Sequence, residues 1–290
     1  MTTEIKTYNF KKGLPQEFEI VDLSKFYKRN FDILTTVHRT GFYQIIWFQN
    51  GNPTLWVDFK AVHIQPNTVL FLNKDVVKQL ADKTPFEGIS ILFTDSFYCQ
   101  TEIDTRYLRN TILFNDLLSV SQIQVQKQIQ LFAGLVQQMI GELNHTKDNF
   151  QEDILQNLLH NFLLHAERIR RTQGFTEIKK GADLDYVMLF KDLLEAHYKE
   201  QKQVSYYARQ ILITEKRLNQ ATTKVLGKTP KEIIDDRIML EAKRLLAHTN
   251  ESIKEVGFSL GFEEPTNFIK YFKKHALTTP TEFRENLRLD

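Results

Sequence analysis

The sequence predicts an α+β protein of two domains, strand-rich in its N-terminal half and all-helical in its C-terminal half. Three observations carry this. Up to about residue 100, short apolar runs recur at roughly ten-residue spacing with Gly, Pro and Asn between them, as in a small barrel or sandwich. From about residue 106 the apolar period changes to three and four. Between Thr214 and Phe283 one pattern is written twice, fifty positions apart. Such internal repetition declares a repeated supersecondary unit.

The strands are read at Phe42–Phe48, Thr54–Phe59, Thr68–Leu72 and Gly88–Thr94, with Asn50-Gly51 as a hairpin signal between the first two. Helical segments follow near 106–118, 121–143 and 148–171. Ile123, Ile129, Leu131, Leu135, Val136 and Met139 mark one apolar stripe, and Ile154, Leu155, Leu158, Leu159, Phe162 and Leu163 the next. These stripes either pack on the barrel or mediate self-association. Arg168, Arg170 and Arg171 suit a solvated helix C-terminus. The boundaries are therefore a β-rich domain over 1–105, a helical segment over 106–171, a linker over 172–182 with Gly174 and Gly181, and a helical domain over 183–290.

In that last domain helices are expected over Leu184–Tyr198, Ser205–Leu212, Thr214–Leu226 and Pro230–Ala247. Gly227 closes the third, Ser252-Ile-Lys-Glu255 is a capping box, and Pro230, Pro265 and Pro280 fit first helical turns. In the repeat, Leu218 answers to Phe268, Lys224 to Lys274, Thr229-Pro230 to Thr279-Pro280, and Ile233 to Phe283. Two helices that cross closely need a small residue at the contact, and Ala208 and Gly257 supply it. Their offset is 49 rather than fifty positions, so the second turn is one residue longer; it holds Gly261. The units are helix-turn-helices near 204–227 and 252–276.

With Leu218 and Phe268 facing inward, Glu215, Lys216, Arg217, Asn219, Gln220, Thr223 and Lys224 lie on or beside the outer face of the first copy. Thr266, Asn267, Ile269, Lys270, Lys273 and Lys274 do so in the second. Arg and Lys donate to guanine O6/N7, Asn and Gln pair with adenine, and further lysines neutralise phosphates. Net charge is only +2, from 38 basic and 36 acidic residues, so bulk basicity does not argue for nucleic acid; the placement of the cations does.

The segment from about 184 to 288 resembles the AraC/XylS-type DNA-binding domain of bacterial transcriptional regulators. The match rests on Arg237, Ala242, Leu245-Leu246, Ser252-Ile253, Glu255, Gly261-Phe262, Phe268, Phe272-Lys273-Lys274, Thr279-Pro280 and Phe283-Arg284. The resemblance implies two helix-turn-helix subdomains bridged by a long helix, both reading successive major grooves of double-stranded DNA. It also implies a homodimer, and RNA polymerase as a further partner of an activator. Leu277 stands where the family has glycine, so the helix before it is expected to end unlike its counterpart at Gly227. Gly257 replaces an alanine.

The strand-rich half resembles the cupin-like sensory β-barrel often fused to such a domain, through His38-Arg-Thr-Gly-Phe-Tyr43 and Asn50-Gly51. A small barrel encloses one ligand, and His38, Tyr43, Trp47, Trp56 and Phe71 are the lining candidates for a small-molecule effector; ordinary core or surface roles stand beside that reading. The alternative is a small-molecule-binding or enzymatic cupin whose helical tail mediates protein contacts. Enzymatic cupins need converging histidines and a carboxylate. Here the strands offer His38 and His63 without a His-x-His pair, and no catalytic residue, metal or cofactor is expected. No apolar run approaches the roughly 18 residues that span a bilayer. The opening Met1–Lys6 is polar, and the lone Cys99 cannot form an internal disulfide; the expected location is the cytoplasm.

Overall fold

The computed structural model describes residues 5–11, 13–14, 16–81, 84–114, 120–173 and 181–289. The chain divides into one unit over Lys6–Glu177 and a second that includes Ile178–Asp290. The expected linker falls largely on 174–180, outside the described residues.

The first unit begins with β1 (Lys6–Tyr8), β2 (Phe18–Asp22), α1 (Leu23–Arg29), α2 (Phe31–Thr35), β3 (His38–Thr40), β4 (Tyr43–Asn50) and β5 (Thr54–Val57). It continues through β6 (Lys60–His63), β7 (Thr68–Leu72), β8 (Lys78–Leu80), β9 (Glu87–Phe93), α3 (Asp95–Tyr98) and α4 (Glu102–Asn110). It ends with β10 (Ser121–Gln124), α5 (Ile129–Leu143) and α6 (Gln151–Thr172). The strands form two five-stranded sheets, ordered β1-β3-β8-β5-β6 and β10-β7-β4-β9-β2. Among the described residues no strand is shared between them, so the expected barrel is an open sandwich.

Period-two alternation sorts the central strand β4. Tyr43, Ile45 and Trp47 join a core with α5 and α6, which includes Phe132, Met139, Leu159 and Phe162. Ile46 and Phe48 point the other way, into a core with Leu55, Leu70 and Leu80 between the sheets. The helical stripes thus pack on the sheet, except that Leu131 and Ile154 remain 38% and 40% exposed.

Several local expectations are corrected. Leu23–Arg29 and Phe31–Thr35 are helices inside a region read as strands; Asp22 caps the first by accepting from the Lys25 amide. Asn50-Gly51 is no hairpin, because β4 and β5 belong to different sheets. Gly51 is nonetheless required, with φ at 89° and the Pro85 carbonyl oxygen 2.5 Å from where a Cβ would lie. The tight two-residue turn is Asp58-Phe59, with φ of 46° and 66°, between the paired β5 and β6. The segment read as a helix from 106 to 118 ends at Asn110. Ser121–Gln124 is a strand rather than a helix start, because Ser121 and Ile123 are buried while Gln122 and Gln124 are exposed. Cys99 is half-buried.

In the second unit come α7 (Ala182–His197), α8 (Val204–Gln210), α9 (Glu215–Leu226), α10 (Pro230–His248), α11 (Ile253–Ser259), α12 (Pro265–Ala276) and α13 (Pro280–Leu289). One continuous core joins Phe190 and Leu194 of α7, Tyr207, Leu218, Ile234 and Ile238, and Val256, Phe268 and Phe272. Capping boxes at Thr229 and Ser252 start α10 and α11. A Cβ on Gly257 would stand 3.1 Å from the Phe268 Cβ, so glycine lets α11 and α12 approach more closely than alanine would.

Helices α9 and α12 end alike, against expectation. The C-caps Gly227 and Leu277 are both left-handed, with φ of 68° and 64°, and both amides close onto a carbonyl one turn back. Leu277 adopts this conformation despite its Cβ. At Gly261 (φ 73°) a second constraint acts, since a Cβ would lie 2.0 Å from the Lys199 carbonyl oxygen. Lys202 bonds both that oxygen and the Gly261 carbonyl, tying the turn to the α7–α8 connection. Gly227→Ala, which meets only open space, should therefore cost about 1 kcal/mol, whereas Gly261→Ala should cost more than about 3 kcal/mol. Urea denaturation of the two variants checks this; equal losses would refute the steric account.

Candidate nucleic-acid interface and ligand cavity

Thr214 starts α9 by accepting from the Arg217 amide at 3.1 Å. With Leu218 and Ala221 buried beneath, Glu215, Lys216, Asn219, Gln220, Thr223 and Lys224 are all exposed along the opposite face. On α12, Phe268 and Phe272 are buried, and Thr266, Asn267, Ile269, Lys270, Lys273 and Lys274 are exposed. The 3.6-residue period alone accounts for this division.

The two faces differ electrostatically. Arg217 is only partly exposed and pairs with Asp183 at 2.5 Å, with its guanidinium 5.0 Å from the Tyr186 ring centroid. Lys224 reaches the other oxygen of Asp183 at 2.6 Å. Hydrogen bonds from Lys224 and Arg217 hold the Asp183 carboxyl below the usual carboxylate range. The N-terminus of α7 thus neutralises two cations expected to meet DNA. Lys216, Lys270 and Lys274 form no ion pair among the described residues. Asp183 and Tyr186 were invisible as neighbours in the sequence, lying more than thirty positions from Arg217.

Beneath the faces, α10 is fixed by charge as well as packing. Arg237 donates to both oxygens of Glu195 at 2.8 Å and lies 3.9 Å from the Tyr198 ring centroid. Buried Glu241 accepts from Arg237 and from Arg244. Asp235 accepts from Tyr271 at 2.7 Å, tying α12 to α10. Burial first, and this bond second, raise the Tyr271 phenol above its ordinary range.

In the first unit a cavity of about 440 Å³ opens between the sheets. Of the five lining candidates, His38 reaches it. Tyr43, Trp47 and Phe71 do not line it, because strand parity turns them into the helix-packed core. Trp56 does not line it either; it is 43% exposed on the outer face of β5. His38 Nδ1 donates to the Thr36 carbonyl at 2.8 Å, a pairing that assigns the proton to Nδ1. Burial, reinforced by the Lys78 charge, pulls its pKa to about 4. Lys78, fully buried on β8, donates to Thr40 Oγ1 at 3.0 Å, and burial pulls its ammonium down to about 7. The sequence reading missed Lys78; its parity with inward Leu80 was the available signal. His63 instead sits exposed beside Thr54, and no group of three metal-ligating side chains occurs among the described residues.

A family model described as an AraC-like ligand binding domain matches residues 22–161, and one described as a helix-turn-helix domain matches residues 207–286. The chain belongs to the AraC family. The AraC-like chain is 33% identical over 92 residues to the uncharacterized HTH-type transcriptional regulator YisR of Bacillus subtilis, covering 32% of each protein. It is 29% identical over 99 residues to the lactose operon transcription activator of Staphylococcus xylosus, covering 34% of this chain and 36% of that one. With the activator RhaS of Salmonella paratyphi A it shares 24% identity over 153 residues, 52% of this chain and 53% of the relative. The chain thus spans between a third and a half of the length of these relatives. The solved structure of ToxT from Vibrio cholerae O395 aligns over 99% of this chain and 97% of its own, with 16% identity and a TM-score of 0.43. The architecture is that of an AraC-type regulator, a ligand-binding domain followed by a helix-turn-helix domain. No helix among the described residues is long and apolar enough to cross a membrane.

Two outcomes are expected from these sites. Asp183→Asn, which releases Arg217 and Lys224, should tighten binding to random duplex and steepen the salt dependence by up to about 2 in log–log slope. An unchanged slope in fluorescence anisotropy would reject the masking. Lys78 has a folded pKa below its unfolded one, so between about 7 and 10.5 the unfolded chain binds more protons and stability rises with pH. Lys78→Met should abolish that rise. Both tryptophans, Trp47 and Trp56, lie in this domain, so tryptophan fluorescence during urea unfolding follows it selectively.

Proposed function

We propose that the chain is a sequence-specific DNA-binding transcriptional regulator controlled by a small molecule, acting in the cytoplasm as a homodimer and without catalysis of its own. One observation carries the reading: two helix-turn-helix units on one core each present an exposed polar and cationic helix face. A recognition helix reads base edges through its N-terminal residues. Lys216, Asn219 and Gln220 supply base contacts, with Glu215 and Thr223 flanking them and Arg217 and Lys224 joining when Asp183 yields. In the second unit Thr266, Asn267 and Ile269 face bases, while Lys270, Lys273 and Lys274 hold phosphates. The first face then gives more specificity and the second more anchoring.

Exposed Leu131, Phe150, Ile154 and Leu164 on and beside α5 and α6 support dimerisation through this layer, which would set the half-site spacing. The cavity between the sheets supports an effector, acting by differential affinity for two states of the regulator. As an activator it would also meet RNA polymerase.

A band shift on the gene's own upstream DNA tests the reading. Affinity should fall by orders of magnitude from about 50 to 200 mM salt. Gln220→Ala should relax sequence preference, whereas Lys274→Ala should weaken cognate and random DNA alike. No shift even at low salt would overturn the proposal, and equal effects from the two variants would overturn the division of labour.

A further inference from the structure

Lys78 is a buried charge that the fold itself leaves unexplained. It is 4% exposed, in a cavity whose walls include Ile46, Phe48, Leu55, Leu80 and Phe86. An ammonium has three donors, and here one is used, by Thr40 Oγ1. That hydroxyl spends its own proton on the Phe42 carbonyl. The neighbouring His38 also faces the cavity and adds no negative charge. Among the described residues no carboxylate pairs with Lys78. Glu19, which also lines the cavity, is half-buried on β2 in the opposite sheet and forms no ion pair with it. Lys11 at the rim is exposed and carries the same sign. Gln44 and Ser90, the polar lining of the second sheet, bond to each other and are uncharged.

A buried charge without a partner destabilises the fold, and an apolar side chain of like volume would be more stable at this position. The cavity therefore combines a wide apolar wall with one buried cation, Lys78, in its lining. We propose that it binds an amphiphilic carboxylate, with the anionic group on the Lys78 ammonium beside Thr40 and the apolar body along Ile46, Phe48 and Leu80. This rests on reading the N-terminal domain as the ligand-binding one. It names the class of effector, which a family match leaves open. The carboxylate brings two acceptor oxygens to the two unused N–H groups, and its charge restores the ammonium that burial disfavours.

The test compares hexanoate, decanoate and tetradecanoate with decanol and decyltrimethylammonium by titration calorimetry on the full chain, below micellar concentrations. Decanoate should bind at least about tenfold more tightly than decanol of the same chain length, the worth of one charge-assisted hydrogen bond. Its binding at pH 8 should take up protons, seen as a dependence of the heat on buffer ionisation, whereas decanol should take up none. Lys78→Met should bring carboxylate and alcohol to parity. If that variant fails to fold, the headgroup comparison and proton uptake in the wild-type chain decide alone. Equal affinity of decanoate and decanol, tighter binding of the quaternary ammonium, or no saturable binding of any of the carboxylates would each overturn the proposal. The band shift on upstream DNA is a separate readout: its failure with carboxylate binding intact removes the regulator and leaves this site standing.

Discussion

Strand β4 is buried on both faces, and much of the N-terminal domain follows from that constraint. One parity, Tyr43, Ile45 and Trp47, needs an apolar cover, which α5 and α6 supply. The other parity, Gln44, Ile46 and Phe48, faces the second sheet across a space its side chains leave partly unfilled. A slip of one residue would exchange the two sets. The strand that roots the helical layer is thus the floor of the cavity as well.

In the C-terminal domain the equivalent anchor is α10. Its apolar residues enter the single core that joins both helix-turn-helix units, its Arg237 is held by Glu195 of α7, and its own Glu241 accepts from both Arg237 and Arg244. Asp235 holds Tyr271, so α12 is seated on α10 by a hydrogen bond as well as by Phe268 and Phe272. Helix α9 is tied to α7 instead, through Asp183. Two copies of one motif therefore present cations under different electrostatic control. The Lys224 pairing, with its ammonium in solvent, is a weak restraint that phosphates can displace, since the worth of such a pair in water is small.

How much of this could be read in advance varied by element. Helix starts at Thr214, Thr229 and Ser252 were legible because capping is local and the residues that satisfy the first free amides lie within three positions. The reading faces of α9 and α12 followed from periodicity for the same reason. Asn50-Gly51 misled, because a positive-φ glycine looks alike in a hairpin and in a crossing between sheets; the Pro85 backbone beside it is what demands glycine. Aromatic residues were poor guides to the cavity. Tyr43, Trp47 and Phe71 are as apolar as any lining residue, and only the arrangement of the layers decides which side of a doubly covered sheet leaves a cavity.

By itself the sequence determined the class of each half, the position of both helix-turn-helix units and the identity of their exposed side chains, since these rest on local period, capping and repetition. The tertiary structure alone decided that Asp183 binds Arg217 and Lys224, that the sheets form an open sandwich, and that Lys78 is enclosed with no counter-ion among the described residues. Those facts depend on contacts between residues distant in the chain, whose charges and volumes meet only when strands pair and helices pack.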